Sequence, residues 1–379
     1  MKFYLRYCCA MCFALISVLL ATSQRAQAQT REAYVSQSAD KTMLTFYYDA
    51  LRSTRIGTTW GIEETKKEGD YTFPAWTAWD EGDSTTTRVV FDASFRDFRP
   101  TTTAKWFYDC NALKQIEGLE YLNTAEVKDM SRMFWGCSAL TSLDLKNFNT
   151  KKVTDMGDMF LGCSALTSLD LKNFNTKKVT KMGRMFWGCS ALTSLDLKNF
   201  NTKNVIDMSG MFSDCVALTS LDLKNFNTKN VTDMSWMFSA CVDLTSLDLK
   251  DFNTKNVTDM SWTFYGCAAL ISLDLKNFNT KNVTKMSGMF SDCTSLTSLD
   301  LKNFNTKKVT YMYDMFSGCA ALTTINSNTT WQCQESKDMF AGCTQLKGAV
   351  SYDENKVDAT MANPETGYFT AESTTVRSR

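Results

Sequence analysis

The sequence predicts an α/β solenoid, a stack of 26-residue coils with a parallel β-sheet on one face, short helical turns on the other, and a cap at each end. Cysteines stand at 137, 163, 189, 215, 241, 267, 293 and 319, each 26 residues after the last. Between them a unit of approximate form C-x-A-L-T-S-L-D-L-K-N-F-N-T-K-N-V-T-D-M-S-x-M-F-x-G is written seven times without a gap. Within each unit the apolar positions run first with period two, then with a spacing of three to four. A fixed period of this size marks one supersecondary unit per repeat, each covering the next.

Residues 1–28 read as a secretory signal peptide. Lys2 and Arg6 give a positive start, Cys8 to Ala21 is nearly unbroken apolar chain, and Ala26-Gln27-Ala28 offers a small-x-small cleavage site. The mature chain from Gln29 is therefore expected to be secreted or held at the cell surface. No second long apolar run appears, so no membrane span is expected.

Residues 29–87 differ in kind from the repeats and read as an N-terminal β-rich capping region. Thr42 to Tyr48 has strand character, and Trp60, Trp76 and Trp79 add aromatic bulk around Pro74. The solenoid is expected over 88–346. It begins with Arg88 to Asp92 as the strand of a degenerate coil, and Ala104 to Cys110 imitates the segment that precedes each repeat cysteine.

In the unit that starts at Cys163, Leu166, Leu169 and Leu171 make L-x-x-L-x-L, the strand of a leucine-rich type of repeat. The leucines point inward while Ser168, Asp170 and Lys172 point out. Asn175 and its equivalents are expected to line up, bonding one another or the backbone of the turn. Val179, Met182, Met185 and Phe186 have the spacing of one or two helical turns, ended by Gly188. The methionines read as core filler between sheet and helix. Residues 347–379 form the C-terminal cap and tail, with Glu372 to Ser378 as tail or linker.

Composition removes several function classes. There is no histidine, which excludes Ser-His-Asp and Cys-His nucleophiles and every His-ligated metal site. Without the signal segment, 38 basic residues face 41 acidic ones, a net charge of −3, so nothing attracts nucleic acid. No catalytic, cofactor-binding or metal-ligating residue is assigned. The repeat cysteines read as buried thiols acting as small apolar side chains, although export to an oxidising compartment keeps bridging open as an alternative.

Function is expected on the outer surfaces. Asp144, Asp170 and Asp196 head a column of aspartates on the strand face, with Lys146, Lys172 and Lys198 heading a second column beside it. Repeats differ mainly before and after the Met-Phe pair. The position before it holds Arg132, Asp158, Arg184, Gly210, Trp236, Trp262, Gly288 and Asp314, while the position after it includes Trp135, Trp187 and Tyr265. These aromatics either face outward as a contact patch or pack back across neighbouring turns.

The segments L-T-S-L-D-L, F-N-T, V-T-D-M-S and M-F-x-G-C closely resemble the BspA-like leucine-rich-repeat surface proteins of bacteria, over about residues 88–345. Leu44 to Asp49 and Gly367 to Thr370 look like that family's flanking regions. The resemblance implies an exported surface protein, and some members adhere to host matrix proteins such as fibronectin or fibrinogen. The resulting expectation is a monomeric, non-catalytic adhesin or protein-binding scaffold whose partners are extracellular or host proteins of the matrix class. A glycan-binding surface protein that uses exposed aromatics, Trp236 and Trp262 among them, is the alternative.

Overall fold

The structure is a computed structural model that describes residues 30–78 and 82–371. The expected signal segment, Trp79 and the tail from Glu372 lie outside the described residues.

Strands β1 (Glu32–Gln37) and β2 (Met43–Asp49) pair antiparallel, with β3 (Thr58–Gly61) antiparallel on the far side of β1. Strands β4 (Thr65–Glu68) and β5 (Tyr71–Pro74) form a separate hairpin. Strand β6 (Arg88–Phe91) runs parallel to β2, and β7 (Gln115–Glu117) parallel to β6, giving one five-stranded sheet of order β3-β1-β2-β6-β7. The sheet thus continues across residue 88 without a break. Its buried face centres on Phe46, whose ring stacks on Phe91 at 4.6 Å and on Trp106 at 5.3 Å. Trp76 donates from Nε1 to the Trp106 carbonyl at 2.9 Å, so this region lies against the first repeat-like segment.

From Thr102 onward the repeats stack in parallel. A single β-bridge per repeat links Thr102, Asp129, Asp155, Lys181 and their successors as far as Glu335. The Met-Phe segment supplies most of the bonds. Met156, Asp158, Phe160 and Gly162 donate their N–H groups to the carbonyls of Lys181, Gly183, Met185 and Trp187 in the next repeat, at 3.1, 2.9, 3.0 and 2.7 Å. The residues between them, Met159, Leu161 and Cys163, donate back three positions and close tight turns. Alternate amides therefore serve the stack and the local turn, which leaves none of this stretch unpaired.

That pattern corrects the expected helical turns. Asp158 has φ 58° and Gly162 φ 74°, so the backbone enters the left-handed region twice within five residues and no helix can propagate. The apolar spacing and the terminal glycine imitate a helix end, but that glycine serves a turn. Among the described residues there is no α-helix, only short 3₁₀ turns at 52–54, 93–97, 119–121 and 359–361.

The expected parallel sheet on the leucine face is also corrected. Three-residue strands form there only near the ends, at β7, at β8 (Ser298–Asp300) and at β9 (Thr324–Asn326). β9 pairs in parallel with β8 and with β10 (Phe369–Thr370), so the segment that has lost the repeat pattern still adds a strand. In the middle repeats the leucines are buried as expected, but their segments do not form ladder strands.

Of the two bonds expected of the asparagines, the structure shows the one to the turn backbone, while threonine carries the link between repeats. The buried Thr150 hydroxyl accepts from Asn175 N–H at 2.7 Å and donates to the Asn175 carbonyl at 3.1 Å, a pairing that recurs along the stack. The Asn175 side chain accepts from Lys177 N–H, two residues on, and shapes its own turn.

The interior is a set of one-residue columns. Phe107 to Phe340 stack with ring centroids 5.4–5.9 Å apart, one ring per repeat. Each buried phenylalanine contributes roughly 1.5–3 kcal/mol. Where Thr263 replaces a methionine, its buried hydroxyl donates to Met260 O at 2.7 Å and Met234 O at 3.2 Å, and the column tolerates it.

Candidate binding surfaces of the repeat array

On the leucine face most lysines pair with the aspartate of their own repeat, among them Asp144 with Lys146 at 2.6 Å, Asp170 with Lys172 at 3.6 Å and Asp196 with Lys198 at 2.9 Å. Each aspartate also caps the lysine N–H two residues on, at 3.1–3.2 Å. The Lys146 ammonium holds the Asp144 carboxyl below its ordinary value, and Lys198 does the same to Asp196. These exposed pairs are screened and contribute little to stability. The two columns cancel within each repeat, which leaves a polar face without a net field. Among the described residues no group of three or more acidic or cysteine side chains is placed to hold a metal ion.

The opposite face is less uniform. The variable residue before the Met-Phe pair occupies the left-handed turn position, with φ 56° at Arg132, 60° at Trp236 and 59° at Trp262. Trp236 stacks on Trp262 at 5.2 Å and 17°, Trp187 reaches Trp236 at 6.4 Å and 25°, and Tyr265 meets Trp262 edge-on at 5.2 Å. The glycines in the series make room for this column. A Cβ on Gly210 would lie 2.6 Å from the Trp187 ring, and one on Gly288 would lie 2.1 Å from the Trp262 ring. The tryptophans thus pack across neighbouring repeats, half-buried, with their faces against one another and their edges outward. Trp135 is not part of this column; it stacks on Tyr108 at 4.4 Å and 4°.

A second cluster joins three successive variable positions. Asp158, 8% exposed at its side chain, receives Arg132 Nε on Oδ2 at 2.9 Å and Arg184 Nε at 2.8 Å from Oδ1. The Oδ1 contact is an ion pair without hydrogen-bond alignment. Sequence reading placed these residues in the variable column but not in a site. The legible signal was an alternation of charge, Arg-Asp-Arg, at 26-residue spacing.

All ten repeat cysteines are buried free thiols. Cys163 Sγ donates to the Phe134 carbonyl at 3.1 Å, and Cys189 Sγ to the Phe160 carbonyl at 3.3 Å, each in the preceding repeat. Burial pushes the Cys189 thiol up to about 12 and leaves it protonated and inert. Cys333, outside the column, is half-buried.

A family profile described as "Mycoplasma protein of unknown function, DUF285" matches residues 101–195, 170–247 and 243–353, together about two thirds of the chain. The chain belongs to this family. The matched region coincides with the run of bridges from Thr102 to Glu335. Among solved structures, the chain is similar to a leucine-rich cell surface protein from Faecalibacterium prausnitzii A2-165, with 18% identity, 89% of this chain and 97% of that chain covered, and a TM-score of 0.36. No curated protein matches.

Proposed function

We propose that this DUF285 chain is an exported, surface-associated scaffold of the BspA-like leucine-rich-repeat type, wound as a solenoid. In this reading it binds extracellular or host proteins of the matrix class as a monomer and carries out no catalysis. The observation that carries the reading is where the repeats differ. Interior positions are almost invariant and buried from repeat to repeat, whereas variation concentrates on one line of turn residues at the surface. A surface of that kind presents half-exposed aromatics beside charged side chains, the composition favoured in protein contacts. No described helix is long and apolar enough to cross a membrane.

The glycan alternative at Trp236 and Trp262 draws less support, because the ring faces a sugar needs are occupied by neighbouring rings and by Gly288. The mature chain from Gln29, titrated against immobilised matrix proteins, is expected to bind at least one saturably. Trp236→Ala combined with Trp262→Ala should weaken that binding at least about tenfold. Absence of saturable binding to any of them removes the adhesin reading, and fractionation of the producing cell tests export.

A further inference from the structure

We propose that the groove between the β4–β5 hairpin and the first repeats binds one acidic pyranose, a sugar ring bearing a carboxylate. This site is separate from the tryptophan column and does not depend on the protein-docking reading.

The groove consists of two adjoining hollows that share Phe73, Arg132, Asp158 and Arg184. The smaller, about 240 Å³, is walled by aromatics from both sides. Tyr71 and Phe73 come from the hairpin, Tyr108 and Trp135 from the repeats, and they form one continuous chain of rings at 6.5, 5.1 and 4.4 Å. That volume falls below the roughly 300–1,000 Å³ of a drug-sized pocket and is on the scale of a single ring. Tyr71 is 52% exposed, which leaves it free to meet a ligand.

The charge at this end is positive. Two guanidiniums share the one carboxylate of Asp158, and Arg132 engages it through Nε alone. Lys105 stands beside them, with Nζ 4.3 Å from the Phe73 ring centroid and donating to the Thr72 carbonyl at 2.7 Å. Burial first, and then the Arg132 charge, pushes the Lys105 ammonium down, with Asp129 partly opposing. The acidic groups of the larger hollow are engaged locally. Asp129, Asp155 and Asp207 cap the N–H groups of Ser131, Gly157 and Ser209 at 2.8–3.0 Å, and Asp155 also pairs with Lys181 at 3.0 Å. Glu63 lines the same larger hollow, not the smaller one. At the aromatic end two guanidiniums face the single carboxylate of Asp158, so an entering anion meets one surplus positive charge and the guanidinium N–H groups not turned to Asp158, which bind planar carboxylates through paired hydrogen bonds. Phe73 is buried and Tyr108 and Trp135 stack on each other, so the exposed Tyr71 is the ring that offers a face to the apolar side of a sugar.

The test is calorimetric titration of the mature chain with glucuronate and N-acetylneuraminate, their methyl esters, glucose, and a glutamate-rich peptide. One or both acids should bind saturably, with ester and glucose at least about tenfold weaker. Arg132→Gln, which leaves Arg184 on Asp158, should weaken the acid about tenfold, and Tyr71→Ala, on the exposed hairpin, about threefold to fivefold. Thermal midpoints of both variants show whether they fold, and the acid–ester comparison needs only the unaltered chain. Acid and ester binding equally, or neither acid binding, overturns the proposal. So does binding of the peptide alone with the same sensitivity to Arg132→Gln. Loss of matrix-protein binding without loss of the acid leaves this site standing and removes only the docking reading.

Discussion

The two walls of each repeat carry opposite relations between sequence pattern and backbone bonding. The leucine wall has the cleaner alternation, L-x-L-x, yet in the middle repeats it lacks a hydrogen-bonded ladder. The Met-Phe-Cys wall has the irregular spacing, yet every second amide there is bonded to the next repeat. Side-chain burial is similar on both, from fully buried at Phe212 to 7% exposed at Leu221. Apolar patterning reports which side chains are inside, while the αR/αL alternation of the turn decides which wall holds the repeats together.

Four experiments sharpen or break that contrast. The largest effect is expected from alkali. The unfolded chain releases thiol protons above the ordinary value of 9.0, whereas burial raises Cys189 and Cys267 to about 12 in the fold. Protons are thus held more tightly by the folded state, and stability, intact below pH 9, falls as pH rises from 9 toward 12. Each such thiol contributes a slope of about 1.4 kcal/mol per pH unit, and the ten ladder thiols act together. A denaturation midpoint that stays flat from pH 8.5 to 10.5 would show that the cysteine column is open to solvent. Of the described cysteines, only the half-buried Cys333 should react with a thiol reagent in the native state.

Next is a matched pair of truncations in one repeat. Phe212→Ala removes a ring from the stacked column and should cost about 3–5 kcal/mol, against about 2–3 kcal/mol for Leu221→Ala on the unladdered wall. Urea titration followed by circular dichroism measures both. If Leu221→Ala proved the costlier, the leucine wall would be the one that holds the stack.

Smaller again is Thr228→Val at the turn that joins the walls. It strips the hydroxyl that accepts from Asn253 N–H at 2.7 Å and donates to its carbonyl at 3.1 Å. Two part-buried backbone groups lose their partner, for about 1–3 kcal/mol. Loss comparable to a surface substitution, read as the shift in urea midpoint, would mean that water replaces the hydroxyl without penalty.

The smallest disturbance is expected from excising one whole unit, Cys189 to Asp214. The new junction restores the same contacts, since Gly188 would meet Cys215 as it now meets Cys189. The shortened chain should keep its far-UV spectrum and a cooperative melt. Collapse of either would refute the modular stack.

Much of the architecture was legible because the period forces it. Val179, Met182, Met185, Phe186 and the leucines lie inside as their spacing requires. The helix was misread because the left-handed turn position is filled by Arg, Asp and Trp as well as glycine, and only glycine advertises positive φ in a sequence. The ladder threonine was passed over for asparagine because both recur equally, and only the fold shows that Thr150 is buried while Asn175 is half-buried. The aromatic site residues Trp187, Trp236, Trp262 and Tyr265 were identifiable as a variable set. That their faces are mutually occupied depends on ring angles no spacing encodes.

What the sequence alone determined is the register: with a 26-residue period, any column of like residues must meet its copy in the next repeat. What the tertiary structure decided is which backbone carries the bonding, and that the β4–β5 hairpin is brought over Arg132 and Trp135 to enclose a hollow. The first is a property of repetition, local and readable one unit at a time. The second rests on contacts between non-repeating and repeating segments, where the path of the intervening chain has no periodicity to constrain it.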